Sequence, residues 1–552
     1  MFCWTREYRA TLQQAQYKRW HTLALNLDRT VSLVMEDWVY YSLSMTICIA
    51  LSFLLSSIRP ATGKPAAKPS LPPGPTALSL LLGPLLLLAW TTFNIEPIIR
   101  LARSWYGPVF TIYLLPSFPV IFVADGATAR RVLVQCGAAF ADRPPVNLAT
   151  RIFNGDQRSI TTGAYGPLWR VLRRNLTGKA LHPSSLRRYA AARRAAVSGL
   201  TAGITQQMHN EAGGGRAVVV IQGLLHHAIF HVFARMCFGE GLGDGVVASI
   251  TALQREFLSA VVGFQVLGVC PPLTKLVFRH RWKKMLSMRR RQEEVFIPLI
   301  RARQARRDAS GDNFAVDCYV DSLLGLRIPE DGGRNLTESE MVSLCSELLS
   351  GGPDSTVTAL QWTMANLVAQ PEIQAKLRAE IRHVVGAEAR IQDEHLPRMP
   401  YLQAVVLEGL RRHPPGRFML PHAATEGGGA LLDGFSVPRH ASVNFMLGAM
   451  AMDEAVWRDP KRFRPERFLP GGEGEDVDLT GNKEIKMMPF GAGRRICPGI
   501  DVSLLHLEFF VANLVKDFEW REVPGEPVEF GERLELTMVM RRPLRALVIP
   551  CC

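Results

Sequence analysis

The 552-residue chain has no Cys-x-x-Cys spacing, although it carries ten cysteines. Cys3, Cys48, Cys136, Cys237, Cys270, Cys318, Cys345, Cys497, Cys551 and Cys552 are dispersed. That dispersion suggests neither a zinc site nor a disulfide framework, and it fits a reducing compartment. No internal repeat and no low-complexity domain occurs. No nucleic-acid module and no basic motif interleaved with aromatics occurs either. The net charge of +14, from 64 Lys+Arg against 50 Asp+Glu, therefore points to anionic lipid or an acidic protein surface. Charged residues are 21% of the chain and hydrophobic ones 47%, which excludes a disordered protein.

Long uncharged runs are also scarce. One of 21 residues, Trp38 to Ile58, has the length of a membrane span. Trp38, Tyr40 and Tyr41 stand at its start, as interfacial aromatics do. Arg59, Lys64 and Lys68 follow, then the stiff spacer Leu71-Pro-Pro-Gly-Pro75. A cleaved signal peptide fits less well, because no small-residue site closes the run. A second apolar patch, Leu78 to Trp90, is too short to span and contains Gly83-Pro84. It is expected to lie against a membrane or the domain.

Pro489 to Gly499 reads Pro-Phe-Gly-Ala-Gly-Arg-Arg-Ile-Cys-Pro-Gly. One cysteine sits in a loop of glycines and proline, behind two arginines. Gly491, Gly493 and Gly499 allow positive φ and a close approach of backbone to a flat ligand. Backbone N–H groups turned toward Cys497, with Arg494 and Arg495 nearby, favour a thiolate. A thiolate so placed is an axial ligand that pushes electron density into haem iron. The plain alternative is a structural cysteine in a turn. Phe490, Gly493, Arg495, Cys497 and Gly499 at fixed offsets argue against it.

This run resembles the haem-binding signature of cytochromes P-450, Phe-x-x-Gly-x-Arg-x-Cys-x-Gly, at every position. The resemblance extends from about Leu71 to the C-terminus. It is marked toward the plant subfamily 89A, in Tyr165–Thr177, Gln361–Val368, Val406–Pro415 and Glu484–Gly499. It implies a mainly α fold with small β-sheets, an N-terminal transmembrane anchor and a haem b cofactor (iron protoporphyrin IX). It also implies an NADPH-dependent flavoprotein reductase as electron donor.

Four further constellations bear on the haem reading. Glu408 and Arg411 lie three apart on one helical face and can pair. Alone they read as a solvated helix pair. Phe463-Arg-Pro-Glu-Arg-Phe468 resembles the family segment whose arginine completes a structural triad, here Glu408, Arg411 and Arg467. Trp169 and Arg173 share a face four residues apart. In the family this pair meets a haem propionate, and Arg495 and His422 would serve the same end. His422 reads equally well as a surface-loop histidine. Gly351-Gly352-Pro353-Asp354-Ser355-Thr356 resembles the family's acid–alcohol segment, in which Asp354 and Ser355 would pass protons during oxygen activation. Pro353 departs from the pattern, because it removes a backbone donor inside a helix.

The apolar pattern predicts one long helix from Ser339 to Ala369. It is capped by Thr337, with Glu340 completing a capping box. Val109–Leu114 and Val120–Val123 read as strands, and Leu534–Met540 as a further strand. Gly213–Gly215, Gly427–Gly429 and Gly471–Gly474 read as surface loops, and Arg301–Gly311 as a charged connector. Substrate contacts are expected within Pro145–Ser159, Gly239–Val269 and Arg417–Ala424. Residues 1–34 have no recognised counterpart and read as an upstream extension that is dispensable or not native. Residues 35–58 then form a lead and anchor, 59–75 a hinge and 76–552 the catalytic domain. From Met35 onward the positive charges follow the anchor, which places the catalytic domain in the cytosol; the resemblance implies the endoplasmic reticulum membrane.

Three functions stay open on the sequence. One is a monooxygenase acting on a lipophilic small molecule. Another is a thiolate-haem enzyme that rearranges a peroxide. The third is a haem-binding protein impaired in turnover by Pro353.

Overall fold

The computed structural model describes residues 71–74, 96–115, 118–210, 217–268, 271–311, 315–386, 390–425, 430–439 and 441–551. The expected lead, anchor and second apolar patch, and the glycine runs 213–215 and 427–429, lie outside the described residues. So does most of the hinge.

The principal helices are α1 (Glu96–Tyr106), α2 (Pro167–Asn175), α3 (Ala190–Asn210), α4 (Gln222–Phe238), α5 (Asp244–Val261) and α6 (Arg279–Ser310). They continue with α7 (Glu338–Gly351), α8 (Pro353–Ala369), α9 (Pro371–Val385), α10 (Pro400–Arg412) and α11 (Ile500–Asp517). Helix α8 is the centre. Its side chains from Thr356 to Val368 are buried without interruption. A helix covered on every side must sit inside other helices, and α4, α9, α10 and α11 surround it. Leu360, Trp362, Val368, Phe510 and Trp520 belong to the one large apolar core that results.

The strands are few. β1 (Val109–Leu115) pairs antiparallel with β2 (Phe118–Val123), which runs parallel to β4 (Ser442–Phe445). β8 (Arg545–Pro550) lies between β3 (Ala217–Val220) and β5 (Phe518–Arg521), antiparallel to both. β6 (Glu532–Leu534) and β7 (Met538–Met540) form a short hairpin, with Leu534 opposite Met538. β1 is covered on both faces where it is described, since Phe110, Thr111 and Ile112 are all buried.

The two expected N-terminal strands are present, and Thr337 caps α7 with Glu340 completing the box. Four expectations need correction. The single helix Ser339–Ala369 is divided into α7 and α8, because Pro353 has no N–H to give to the preceding turn. Gly352 between them keeps right-handed helical angles, φ −81° and ψ −59°. The expected strand Leu534–Met540 is the β6–β7 hairpin, turned at Glu535–Thr537. Arg301–Ser310 is not a connector but the last turns of α6, held by ion pairs such as Arg301–Glu338 at 2.7 Å and Arg306–Asp317 at 3.1 Å. The Gly471–Gly474 run is not a plain surface loop. Gly474 is buried against Trp457 and Phe468, and its N–H bonds the Arg467 carbonyl at 2.7 Å.

Candidate functional site

The segment before α11 builds the site. Gly491 and Gly493 take φ of +71° and +73°, a region that side-chain-bearing residues avoid. A Cβ on Gly493 would stand 1.9 Å from the Leu133 carbonyl oxygen. Gly493→Ala should therefore cost the loop its shape, and we expect haem content to fall sharply in the purified variant.

After that turn the Cys497 N–H donates to the Phe490 carbonyl at 2.9 Å. The Gly499 N–H donates to the Cys497 sulfur at 3.3 Å. Burial pushes the Cys497 thiol up; the Gly499 N–H and the Arg173 guanidinium pull the other way. Burial wins, so the thiolate expected from the loop alone needs an added cation to hold it. Arg494 and Arg495 are not what faces the sulfur. Arg494 donates to the Tyr165 hydroxyl at 2.5 Å. Arg495 donates to the carbonyls of Ala141 at 2.7 Å, Ile160 at 3.3 Å and Gly163 at 2.7 Å.

Helix α2 brings Trp169 and Arg173 to the same place. The Arg495 guanidinium lies 4.3 Å from the Trp169 ring centre, and that of Arg173 lies 6.0 Å from it. Trp169 Nε1 donates to the Ile160 carbonyl at 2.9 Å, and Arg173 to the Ile496 carbonyl at 2.5 Å. His422 is buried, not on a surface loop. Its backbone bridges to Val443 of β4, and its Nδ1 is 2.7 Å from the Phe140 carbonyl oxygen. Burial and the nearby Arg143 push it down to about 3, so it is neutral. Its buried Nε2 has no partner among the described residues.

Two buried guanidiniums complete the wall. Arg143 donates to the carbonyls of Thr161, Leu420 and Pro421. Burial lowers Arg143 to about 9 and Arg495 to about 10. Cations desolvated among carbonyls stabilise any carboxylate set beside them. An unpartnered imidazole nitrogen, two such guanidiniums and one cysteine at the end of a glycine cradle fit a flat, dicarboxylate-bearing iron macrocycle.

Sequence reasoning missed Glu347 on α7, whose carboxylate accepts the backbone N–H groups of Ile160 and Thr161, at 3.0 Å and 2.5 Å. It thereby fixes the carbonyl that Trp169 and Arg495 use. Its place in the otherwise apolar or small-residue stretch from Met341 to Leu349 was the only signal.

Asp354 and Ser355, the pair expected to pass protons, stand in the first turn of α8. Ser355 Oγ donates to the Gly351 carbonyl at 2.7 Å. Asp354 turns elsewhere, with its carboxylate accepting from the Thr537 hydroxyl at 2.8 Å. Acid and alcohol, adjacent in sequence, thus have separate partners. Gly352 cannot carry a side chain: a Cβ would stand 2.2 Å from the Phe233 ring of α4.

Glu408, Arg411 and Arg467 come together with no exposure at all. Arg411 grips Glu408 with two bonds, 2.6 Å and 2.9 Å, and Arg467 Nε reaches it at 3.3 Å. Glu473 joins as a further member, bonded to Arg467 and, twice, to Arg464.

A mainly helical fold closing on a cradled cysteine, beside paired cations, is that of a haem-thiolate protein. The chain belongs to the cytochrome P-450 family, whose model matches residues 72–549. It is 40% identical to cytochrome P-450 89A9 of Arabidopsis thaliana over 92% of this chain and 97% of that protein. It is 30% identical to a flavonoid 3'-monooxygenase of Crocosmia x crocosmiiflora, over 87% of this chain and 93% of that one. A zebra fish cytochrome P-450 solved with progesterone shares the fold, with a TM-score of 0.68 and 22% identity, covering 83% of this chain and all of that one. The family makes this chain an oxidoreductase of the monooxygenase class.

Proposed function

We propose that the chain is a membrane-anchored monooxygenase that places one oxygen atom of O2 into a lipophilic small molecule. The observation that carries this is the Cys497 cradle, with its Gly499 N–H on the sulfur and a wall of buried cations beside it. Haem, when bound, supplies the oxygen chemistry. Cys497 would hold its iron, and Trp169, Arg173, His422 and Arg495 would hold its propionates. Phe490 would fix the loop through its carbonyl. Glu408, Arg411 and Arg467 are structural.

Asp354 and Ser355 are the proton-handling pair. Burial pushes the Asp354 carboxyl up, against the pull of Thr537. That brings it nearer to the pH at which it can both take and give a proton. Ser355 Oγ both donates and accepts, so it can pass a proton or hold a water on the same face as Gly351. An intact pair speaks against the peroxide-rearranging alternative. Pro353 stands at the first position of α8, where a missing N–H costs least. The reading of impaired turnover therefore loses its motive.

Electrons come from NADPH through the flavoprotein reductase, drawn to a basic surface. Residues 35–58 anchor the protein in the endoplasmic reticulum membrane with its catalytic domain, 76–552, in the cytosol. Residues 59–75 are the hinge, and 1–34 an upstream extension that is dispensable or not native. Of the expected substrate-contacting segments, Gly239–Val269 is largely helix α5, so it would offer a helix face to the substrate.

The test is NADPH consumption by the full chain with reductase and candidate lipophilic substrates, with product and peroxide both measured. Consumption without any oxygenated product across substrates would overturn the reading. Ser355→Ala should lower coupled product formation by an order of magnitude or more, within the usual worth of a proton-transfer group. Peroxide should rise in step while haem content stays unchanged. Ser355→Thr, with its stiffer χ1, should lower the leakage of the natural chain.

A further inference from the structure

The partner of Asp354 is not in the long helix pair or the cysteine loop. It is Thr537, in the turn of the β6–β7 hairpin. Asp354, Thr358 and Trp362 are spaced by four residues and share one face of α8. All three are fastened to consecutive residues of the hairpin. Asp354 accepts from Thr537 Oγ1 at 2.8 Å. Thr358 Oγ1 is 2.9 Å from Thr537 Oγ1. Trp362 Nε1 donates to the Met538 carbonyl at 2.7 Å. Thr358 and Thr537 are both buried.

Proton counting fixes the direction of this chain. A hydroxyl has one hydrogen to give. If Thr537 gives its hydrogen to an ionised Asp354, Thr358 must donate to Thr537. When Asp354 takes up a proton on Oδ2, the oxygen that faces Thr537, it becomes the donor. Thr537 then donates to Thr358, and Thr358 turns its hydrogen to a backbone carbonyl one turn back, as threonines in helices do. The reversal rotates two hydroxyls and breaks no O–H bond.

We propose that Thr537 is the positioning residue for the acid of oxygen activation, holding Asp354 against the C-terminal hairpin in a hydroxyl chain that reverses when Asp354 is protonated. This rests on the reading of Asp354 as a proton carrier. Two other charges act on Asp354: Glu535 in the same turn opposes its ionisation, and Arg255 of α5 favours it. The hairpin is itself tethered at Glu532, which is ion-paired with Arg417. Displacing the hairpin would therefore release the acid.

The experiment compares Thr537→Val, which keeps the shape and removes the hydroxyl, with Thr537→Ser, which restores it. The first readout is chemical denaturation of the haem-loaded full chain across pH. Asp354 has a folded pKa raised above its unfolded value, so the stability it contributes is present at low pH and lost as pH rises through the folded pKa. Thr537→Val removes a bond to the charged form and raises that pKa further. Its destabilisation should therefore be largest at neutral pH and shrink on acidification. In an Asp354→Asn background the pH-dependent part should vanish. Thr537→Ser should follow the natural chain.

The second readout is coupling, where Thr537→Val should raise the peroxide share of NADPH consumption several-fold and Thr537→Ser should not. A pH-independent deficit, or the same pH dependence in the Asp354→Asn background, would overturn the proposal. If Asp354→Asn leaves coupling untouched while the pH dependence appears as described, the proton-carrier reading fails and the hydroxyl chain stands.

Discussion

Cys497→Ala abolishes the Soret band of the reduced carbon monoxide complex that marks thiolate ligation, and haem content drops with it. Alanine keeps the loop, because the bonds that shape it are backbone bonds: Cys497 N–H to Phe490 and Ile496 N–H to Gly493. What disappears is the sulfur that would hold the iron of a bound haem. Cys497→Ser should likewise lose the band. Cys136→Ser and Cys345→Ser should keep it, because Cys136 is exposed and Cys345 lies in the large apolar core. Far-ultraviolet circular dichroism should match the natural chain in all four, which separates lost ligation from lost folding. An unchanged band in Cys497→Ala would remove the basis for every role proposed here.

The sequence made the cradle legible because glycine and cysteine at fixed offsets carry their own geometry. Gly491 and Gly493 have the positive φ their residue type permits. The triad was legible only through the resemblance, because Glu408 and Arg411 alone read as a solvated helix pair and the segment Phe463–Phe468 supplied Arg467. Its fourth member was not. Glu473 stands between glycines, in a run whose composition reads as solvent-facing loop. Only the fold shows Gly474 buried beneath it and Arg467 reaching back.

The partners of the site residues were less legible still. Nothing local to Asp354 points to Thr537, 183 positions away in the chain. Nothing local to Glu347 points to the N–H groups of Ile160 and Thr161. Such pairs depend on which loops the helices bring together, and that is tertiary information. The split of the long helix lies between these cases. Pro353 announced a distortion, while the Phe233 ring that forbids a side chain at Gly352 did not.

Glu408→Ala should come close to unfolding the protein. Among the described residues its carboxylate is the only acid that meets Arg411, and it also accepts the Arg464 N–H at 2.8 Å. Removing it leaves the fully buried Arg411 without an acid and Arg467 with Glu473 alone. Breaking a buried pair in this way costs about 3–5 kcal/mol, against a total stability on the order of 5–15 kcal/mol for a folded protein. The damage should travel to the haem site along a visible route. Arg411 stacks 5.3 Å from the Trp457 ring, and Trp457 Nε1 bonds the Lys486 carbonyl at 3.3 Å. Lys486 lies just before the Pro489–Gly499 loop. Arg467 fixes the other side, through the carbonyls of Asp459 and Arg462 at 2.7 Å and 3.3 Å. Arg467→Lys keeps the charge but cannot span those acceptors and Glu408 together, so it should lose most bound haem while keeping helical content. Glu473→Gln should be milder, since Glu473 is a quarter exposed and Arg467 keeps Glu408. Haem content and melting temperature for the three variants give the check. An order in which Glu473→Gln is as damaging as Glu408→Ala would place the fulcrum of the loop at Glu473, outside the triad.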